Sequence, residues 1–264
     1  MDGNDRVLSA RPADTVSVWI AAILIPLFLM APALWNGYPL LQWDTGGYLA
    51  RWYEGYLVPS RSTVFGLYLH VGENSDFWIN LGVQALATPW ILQLSLRVLN
   101  LAQPFRLLTV SLSLILTTAL PWLTSLLLTD IFAGLAVLSL FILIAHGARI
   151  SALEKFSLFL FTAFAAATHS ATLGVLFGLC VLSLLAKPVL REEIAWSGLI
   201  QGALSLVAGG AMLLAANYAL SGQFAWTPGG VGVAFGRMLA GRHRHQIPER
   251  PLRHGEAEAL PLSR

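Results

Sequence analysis

The chain has 264 residues, 56% of them hydrophobic and 11% charged, with a formal net charge of +2. Ordinary soluble domains carry about 25% charged residues. Together with a mean hydropathy of +0.67, this excludes a disordered protein, a basic-faced nucleic-acid-binding module and almost every soluble enzyme. The expected environment is a lipid bilayer, and nucleic acid is not an expected partner.

In chain order, uncharged runs lie between Asp14 and Asp44, Asp76 and Arg97, Arg106 and Asp130, Asp130 and Arg149, Lys155 and Lys187, and Glu193 and Arg237. About 20 apolar residues span a bilayer core, so each run has room for a crossing. The run 156–186 is too long for one straight span, and His169-Ser170 near its middle predicts two short spans joined by a tight turn. The fold class expected is an all-α, polytopic transmembrane helical bundle of about seven spans, at 16–35, 77–97, 107–128, 131–147, 156–168, 171–186 and 197–219.

Seven spans place Arg6, Arg11, Arg97, Arg106, Arg149, Lys155, Lys187 and Arg191 on one side. Only Arg51 and Arg61 precede the tail on the other. By the positive-inside rule the N-terminus is cytoplasmic and the protein a multi-pass protein of the cell inner (plasma) membrane. Residues 1–15 are then a cytoplasmic N-terminus, 16–220 a transmembrane domain, and 221–264 a polar, disordered tail. Ala31-Pro32-Ala33 resembles a signal-peptide cleavage site, but the acidic n-region and long apolar stretch favour a retained anchor. Pro89 and Pro121 are expected to kink their spans, and Gly202, Gly209 and Gly210 to permit close helix contact. His146, ending a span, is expected to meet the negative end of its helix dipole. The single cysteine, Cys180, is expected to be a packing residue.

The outside loop 36–76 is far longer than the other connections and is where chemistry is expected. Its aromatic residues suit interfacial helices, one over 48–57 after the Gly46-Gly47 turn and one over 63–71. Tyr48, Arg51 and Trp52 share one face of the first. Asp44 has three readings: a general base, a ligand for a divalent cation, or the N-cap of the following helix. Arg51 and Arg61 suit the phosphate of a lipid carrier, or simple headgroup contact. Asp130 lies at a second outside turn, where it either faces the same cavity as Asp44 or caps its helix. His169 lies at the third, where it either binds a carrier phosphate or tunes Asp44, or is a turn histidine satisfied by backbone groups.

The run Asp44-Thr45-Gly46-Gly47-Tyr48-Leu49-Ala50, followed by Gly55, Pro59, Arg61 and an aromatic amphipathic stretch, resembles the first outside loop of GT-C integral-membrane glycosyltransferases. It is similar to that loop in the protein O-mannosyltransferase-like and aminoarabinose-transferase-like members. That resemblance implies transfer of a sugar from a polyprenyl-phosphate-linked sugar donor to an acceptor at the outer face, with Asp44 as catalytic base or metal contact. Many members carry an Asp-Glu pair. Here Thr45 follows Asp44, which leaves Glu54 as the candidate second carboxylate. Members usually continue with further spans or an outer domain, so the expectation is a shortened, and on one reading inactive, member. The Arg- and His-rich end fits no zinc spacing. No Asp, Glu, Lys or Arg sits mid-span, which argues against an ion-coupled transporter. A transporter and a non-catalytic membrane or assembly protein remain the alternatives.

Overall fold

Long apolar stretches without charged interruptions satisfy their backbone polar groups most simply as helices. A computed structural model describes residues 12–227 and Met238, and among them it is all-α. Arg6, Arg11 and the tail beyond 227 lie outside the described residues, Met238 apart. Eleven α-helices are described: α1 (Pro12–Leu29), α2 (Ala31–Asn36), α3 (Trp43–Tyr53), α4 (Thr63–Val71), α5 (Trp78–Val98), α6 (Pro104–Thr117), α7 (Leu120–Ser125), α8 (Asp130–His146), α9 (Ala152–Thr168), α10 (Ser170–Ala186) and α11 (Trp196–Ser221). Among the described residues, two stretches are long and apolar enough to cross a membrane, Asp130–Arg149 and Trp196–Ser221.

The helices form two groups. α1 packs on α5, α6 and α7, while α8, α9, α10 and α11 pack on one another, and α5 joins the groups through α8. Glycines set the closest approaches. A Cβ at Gly209 of α11 would lie 2.5 Å from the Ala163 carbonyl oxygen of α9. One at Gly198 would lie 2.5 Å from the Ile144 oxygen of α8. Gly210 does not serve a helix contact; the Trp226 ring faces it.

The expected split of 156–186 is present. His169 is extended (φ −152°, ψ 126°), closing α9 and capping α10, with its Nδ1 accepting from the Ala171 N–H at 3.1 Å. Each partner helix has 17 residues, about 26 Å of rise.

Three expectations on the remaining elements are corrected. The stretch 107–128 is not one kinked helix: α6 stops at Thr117, Pro121 opens the short α7, and 126–129 is non-helical. The backbone groups freed by that break are satisfied by the first loop, where the Leu40 N–H donates to Ser125 O (2.9 Å) and the Leu127 N–H to Leu40 O (3.0 Å). The wholly buried Gln84 of α5, with its amide oriented by its partners, donates to Thr124 O (2.8 Å) and Leu126 O (3.3 Å). Second, α3 begins at Trp43 and runs through Gly46-Gly47, because Gln42 and Thr45 form a reciprocal capping box ahead of them. Third, α4 is only partly an interfacial helix, with Leu67 and Val71 exposed and its other side deep in the body. Thr63, Val64, Phe65, Gly66 and Leu69 are buried, and Phe65 and Tyr68 join Phe132 of α8 and Phe164 of α9 in one aromatic cluster, with ring centroids 5.2–6.2 Å apart. The loop's aromatic residues thus divide: Tyr48, Phe65 and Tyr68 pack inward, whereas Trp43 and Tyr53 are exposed.

The two ends of the helical body differ in charge. At one end the Arg97 guanidinium bonds Glu154 (2.6 Å), Arg149 donates to Val98 O (2.6 Å), and Lys187 donates to Ile194 O beside the Trp196 ring. Arg106 joins them in the first turn of α6. At the other end lie the α3–α4 loop, the Thr129-Asp130 turn and the His169 turn.

Candidate functional site

The site is built where the first loop docks on this second end. Thr45 donates to Leu127 O (3.1 Å) and Ser62 to Ala167 O (2.7 Å), fixing α3 and the start of α4 against α8 and α9. Between them, residues 58–61 turn tightly. The Arg61 N–H bonds Val58 O at 3.2 Å, Pro59 holds the second position, and Ser60 takes a left-handed φ of 68°. That is the signature of a type II turn, with serine where glycine is usual, and it throws Arg61 back across α3.

Arg61 is held from three directions. Its guanidinium pairs with the Asp44 carboxylate. It also lies over the Tyr48 ring, 5.7 Å from the centroid. The third contact is Gly47, where a Cβ would sit 3.3 Å from the Arg61 stem, so glycine there lets the arginine lie flat on the helix. Both charged side chains are partly exposed, at 30% for Arg61 and 45% for Asp44. A pair so exposed contributes about 0–1 kcal/mol to stability, so its main effect is orientation. Asp44 stands in the first turn of α3, and the N-cap position belongs to Gln42.

Beside Arg61 opens a cavity of about 280 Å³, walled by Tyr48, Ser60, Ser62, Thr168, His169, Ser170 and Trp226 among others. His169 Nδ1 accepts a backbone N–H, which leaves Nε2 as the ring nitrogen that can donate, and the residue lines the cavity. Burial pushes the Tyr48 hydroxyl above its ordinary pKa, outweighing the Thr129 hydroxyl and the Arg61 charge that draw it down. The phenol therefore stays protonated. The cavity combines one fixed guanidinium, an imidazole N–H and several hydroxyls, a donor set suited to an oxyanion such as phosphate.

The structure brings together Asp44, Tyr48, Arg61 and His169. It does not bring in Arg51, Glu54 or Asp130. Arg51 donates to Gly55 O at 2.8 Å, closing the end of its own helix. Glu54 is the C-cap of α3, ten residues along from Asp44, about 15 Å away along the axis. It lies instead beside the exposed Tyr56 hydroxyl, whose pKa it raises. Asp130 is the first residue of α8, in place to meet the helix dipole, and it opens on a separate groove with Thr88, Thr118 and Gly134. Among the described residues no three His, Cys, Asp or Glu side chains converge. Asp44 is already matched to a cation by Arg61, so a divalent ion does not fit the donor set at this position.

Two contributors escaped the sequence reading. Asn217 of α11, 1% exposed, accepts from Thr63 Oγ1 at 2.7 Å. Its amide nitrogen donates to Ala225 O (2.7 Å) and Trp226 O (3.0 Å), folding residues 222–227 back over the cavity. An amide in an otherwise apolar helix, one of two there with Gln201, is the signal that would have marked it. Trp226 offered no such signal, standing in a turn-rich stretch without periodicity. No family model matches this chain, and neither a curated protein nor a solved structure matches it.

Proposed function

We propose that the chain is a multi-pass membrane protein that binds the phosphate of a polyprenyl-phosphate-linked sugar in the Arg61 cavity and transfers the sugar at the outer face of the inner membrane, in the manner of GT-C glycosyltransferases. The single observation that carries this reading is the Arg61 guanidinium, oriented by Asp44, Tyr48 and Gly47 toward a cavity rich in hydrogen-bond donors.

Membrane residence is supported by the outward face of α10 and α11. Phe177, Leu182 and Leu185 are 62–68% exposed, as is Val207 at 68%, and an apolar face of that kind requires lipid or a partner. The gathering of Arg97, Arg106, Arg149, Lys155 and Lys187 opposite the loop supports seven crossings with a cytoplasmic N-terminus. In this reading the ion pair links the two roles. A carrier phosphate that engages Arg61 weakens its hold on Asp44, and the freed carboxylate accepts the acceptor's proton.

The test is sugar transfer from polyprenyl-phosphate-linked donors by the purified full chain. Asp44→Asn is expected to bind the donor within a few-fold of wild type and to lose transfer by about 100-fold or more. Transfer that survives both Asp44→Asn and Arg61→Ala would remove the site from the reaction. The ion pair also favours a second reading, a non-catalytic protein that holds a lipid phosphate, and binding without turnover would establish it.

A further inference from the structure

The cavity has one wall that phosphate binding does not explain. Trp226 follows α11, yet its backbone is tied down by the buried Asn217 amide, which is itself bonded to Thr63, two residues from Arg61. Its indole N–H reaches Ser170 Oγ at 3.4 Å, and the edge of its six-membered ring lies 3.7 Å from where a Gly210 Cβ would stand. A tryptophan serving only to anchor the segment would bury its ring. This one is fixed at backbone and ring and still 42% exposed while lining the cavity. Ser60, Ser170 and Thr227 bring hydroxyls to the same cavity, that of Ser170 against the indole N–H. An aromatic face rimmed by hydroxyls complements a pyranose ring, which has apolar C–H faces and a polar edge. At about 280 Å³ the space suits one sugar with its phosphate, not an oligosaccharide or a lipid tail.

We infer that Trp226 is the sugar-recognising wall of this site, and that the ligand class is a phosphorylated monosaccharide with its phosphate at Arg61 and its ring face on the indole. This rests on the carrier-phosphate reading above and adds to it the residue that distinguishes a glycosylated carrier from a bare one. The experiment measures binding to the full chain in lipid nanodiscs. The probes are bare polyprenyl phosphate, the same carrier bearing mannose, glucose or aminoarabinose, and free mannose 1-phosphate.

Trp226→Ala is expected to weaken the preferred glycosylated carrier about tenfold and to leave the bare carrier within twofold, with Trp226→Phe retaining most of the affinity. Arg61→Ala is expected to weaken every phosphate probe. Free mannose 1-phosphate binding as well as the carriers would make the source a soluble sugar phosphate, with the role of Trp226 unchanged. Equal losses of bare and glycosylated carrier in Trp226→Ala, or no loss of either, would overturn the inference and leave the carrier reading standing. Failure of wild-type protein to bind any probe would overturn both.

Discussion

Arg61 owes its usefulness to being held still. A guanidinium offers five N–H donors in a planar fork; Asp44 takes one edge, and the others are free to meet a ligand. Arg61→Lys keeps the charge but loses the fork and its stacking on Tyr48, and the expected result is about a tenfold loss of polyprenyl-phosphate affinity. Arg61→Ala is expected to lose about 10- to 100-fold. A titration in nanodiscs reads both, and a lysine variant that binds like wild type would mean that charge alone suffices. At this scale the sequence was partly legible. Asp44, Arg61 and His169 stood out because charged and polar groups are so scarce in the chain. Arg51 stood out equally and turns away, because a local carbonyl at Gly55 satisfies it. Asn217 and Thr63 meet across 154 residues, a distance no local pattern reports.

Helices are where composition and structure agree best, and their errors share a cause. The break at His169 was readable because the run was too long for one crossing. The non-helical stretch after Ser125 was not, because Leu40 and Gln84, far away in the chain, supply the partners to its interrupted backbone. Likewise Gly46-Gly47 reads as a helix breaker until the capping box of Gln42 and Thr45 is formed. Glycines give this scale its sharpest test. Gly→Ala in a helix normally stabilises by about 0.5–1 kcal/mol. That gain is expected at Gly178, where an added Cβ meets nothing within 4 Å. At Gly209 the Cβ would press on the Ala163 carbonyl at 2.5 Å, which cannot swing aside as a side chain can, and a net loss of about 1–3 kcal/mol is expected. Thermal or SDS unfolding of the two variants should shift in opposite directions.

The α5–α9 contact carries a pH signature. The Arg97 guanidinium beside Glu154 holds its carboxyl well below the ordinary value of 4.5, down to about 2, with Ser151 assisting against desolvation. A carboxylate favoured as a charge in the folded state adds stability that is complete above the ordinary value. That stability is lost as the pH falls toward about 2. Glu154→Gln is expected to flatten the stability curve across that window and leave its shape at neutral pH unchanged. An identical acid limb in the variant would show that the pair contributes nothing.

For the molecule as a whole, the telling feature is the polarity of its two ends. With Cys180 replaced by alanine, a cysteine placed at Tyr56 is expected to react with an impermeant maleimide on intact cells. One placed at Glu192 is expected to react only after permeabilisation. The reverse pattern would invert the proposed topology, and equal labelling of both would argue against a bilayer-spanning body. Overall charge and run length sufficed to anticipate the all-helical fold of the described residues, whereas the docking of the first loop depended on contacts that only the folded molecule creates.

That docking also sets an order of events. Thr45 waits for Leu127, 82 residues later in the chain, and Leu40 waits for Ser125 and Leu127. While the ribosome is still making α5 and α6, the first loop has been synthesised but its partners have not. On the proposed topology, insertion of the helices into the bilayer and closure of the outer cap would be separable steps, the second following the first. Leu127→Pro removes the N–H that bonds Leu40 O and should divide them cleanly. The expected product is a chain inserted to the same extent as wild type, with its first loop open to protease added outside.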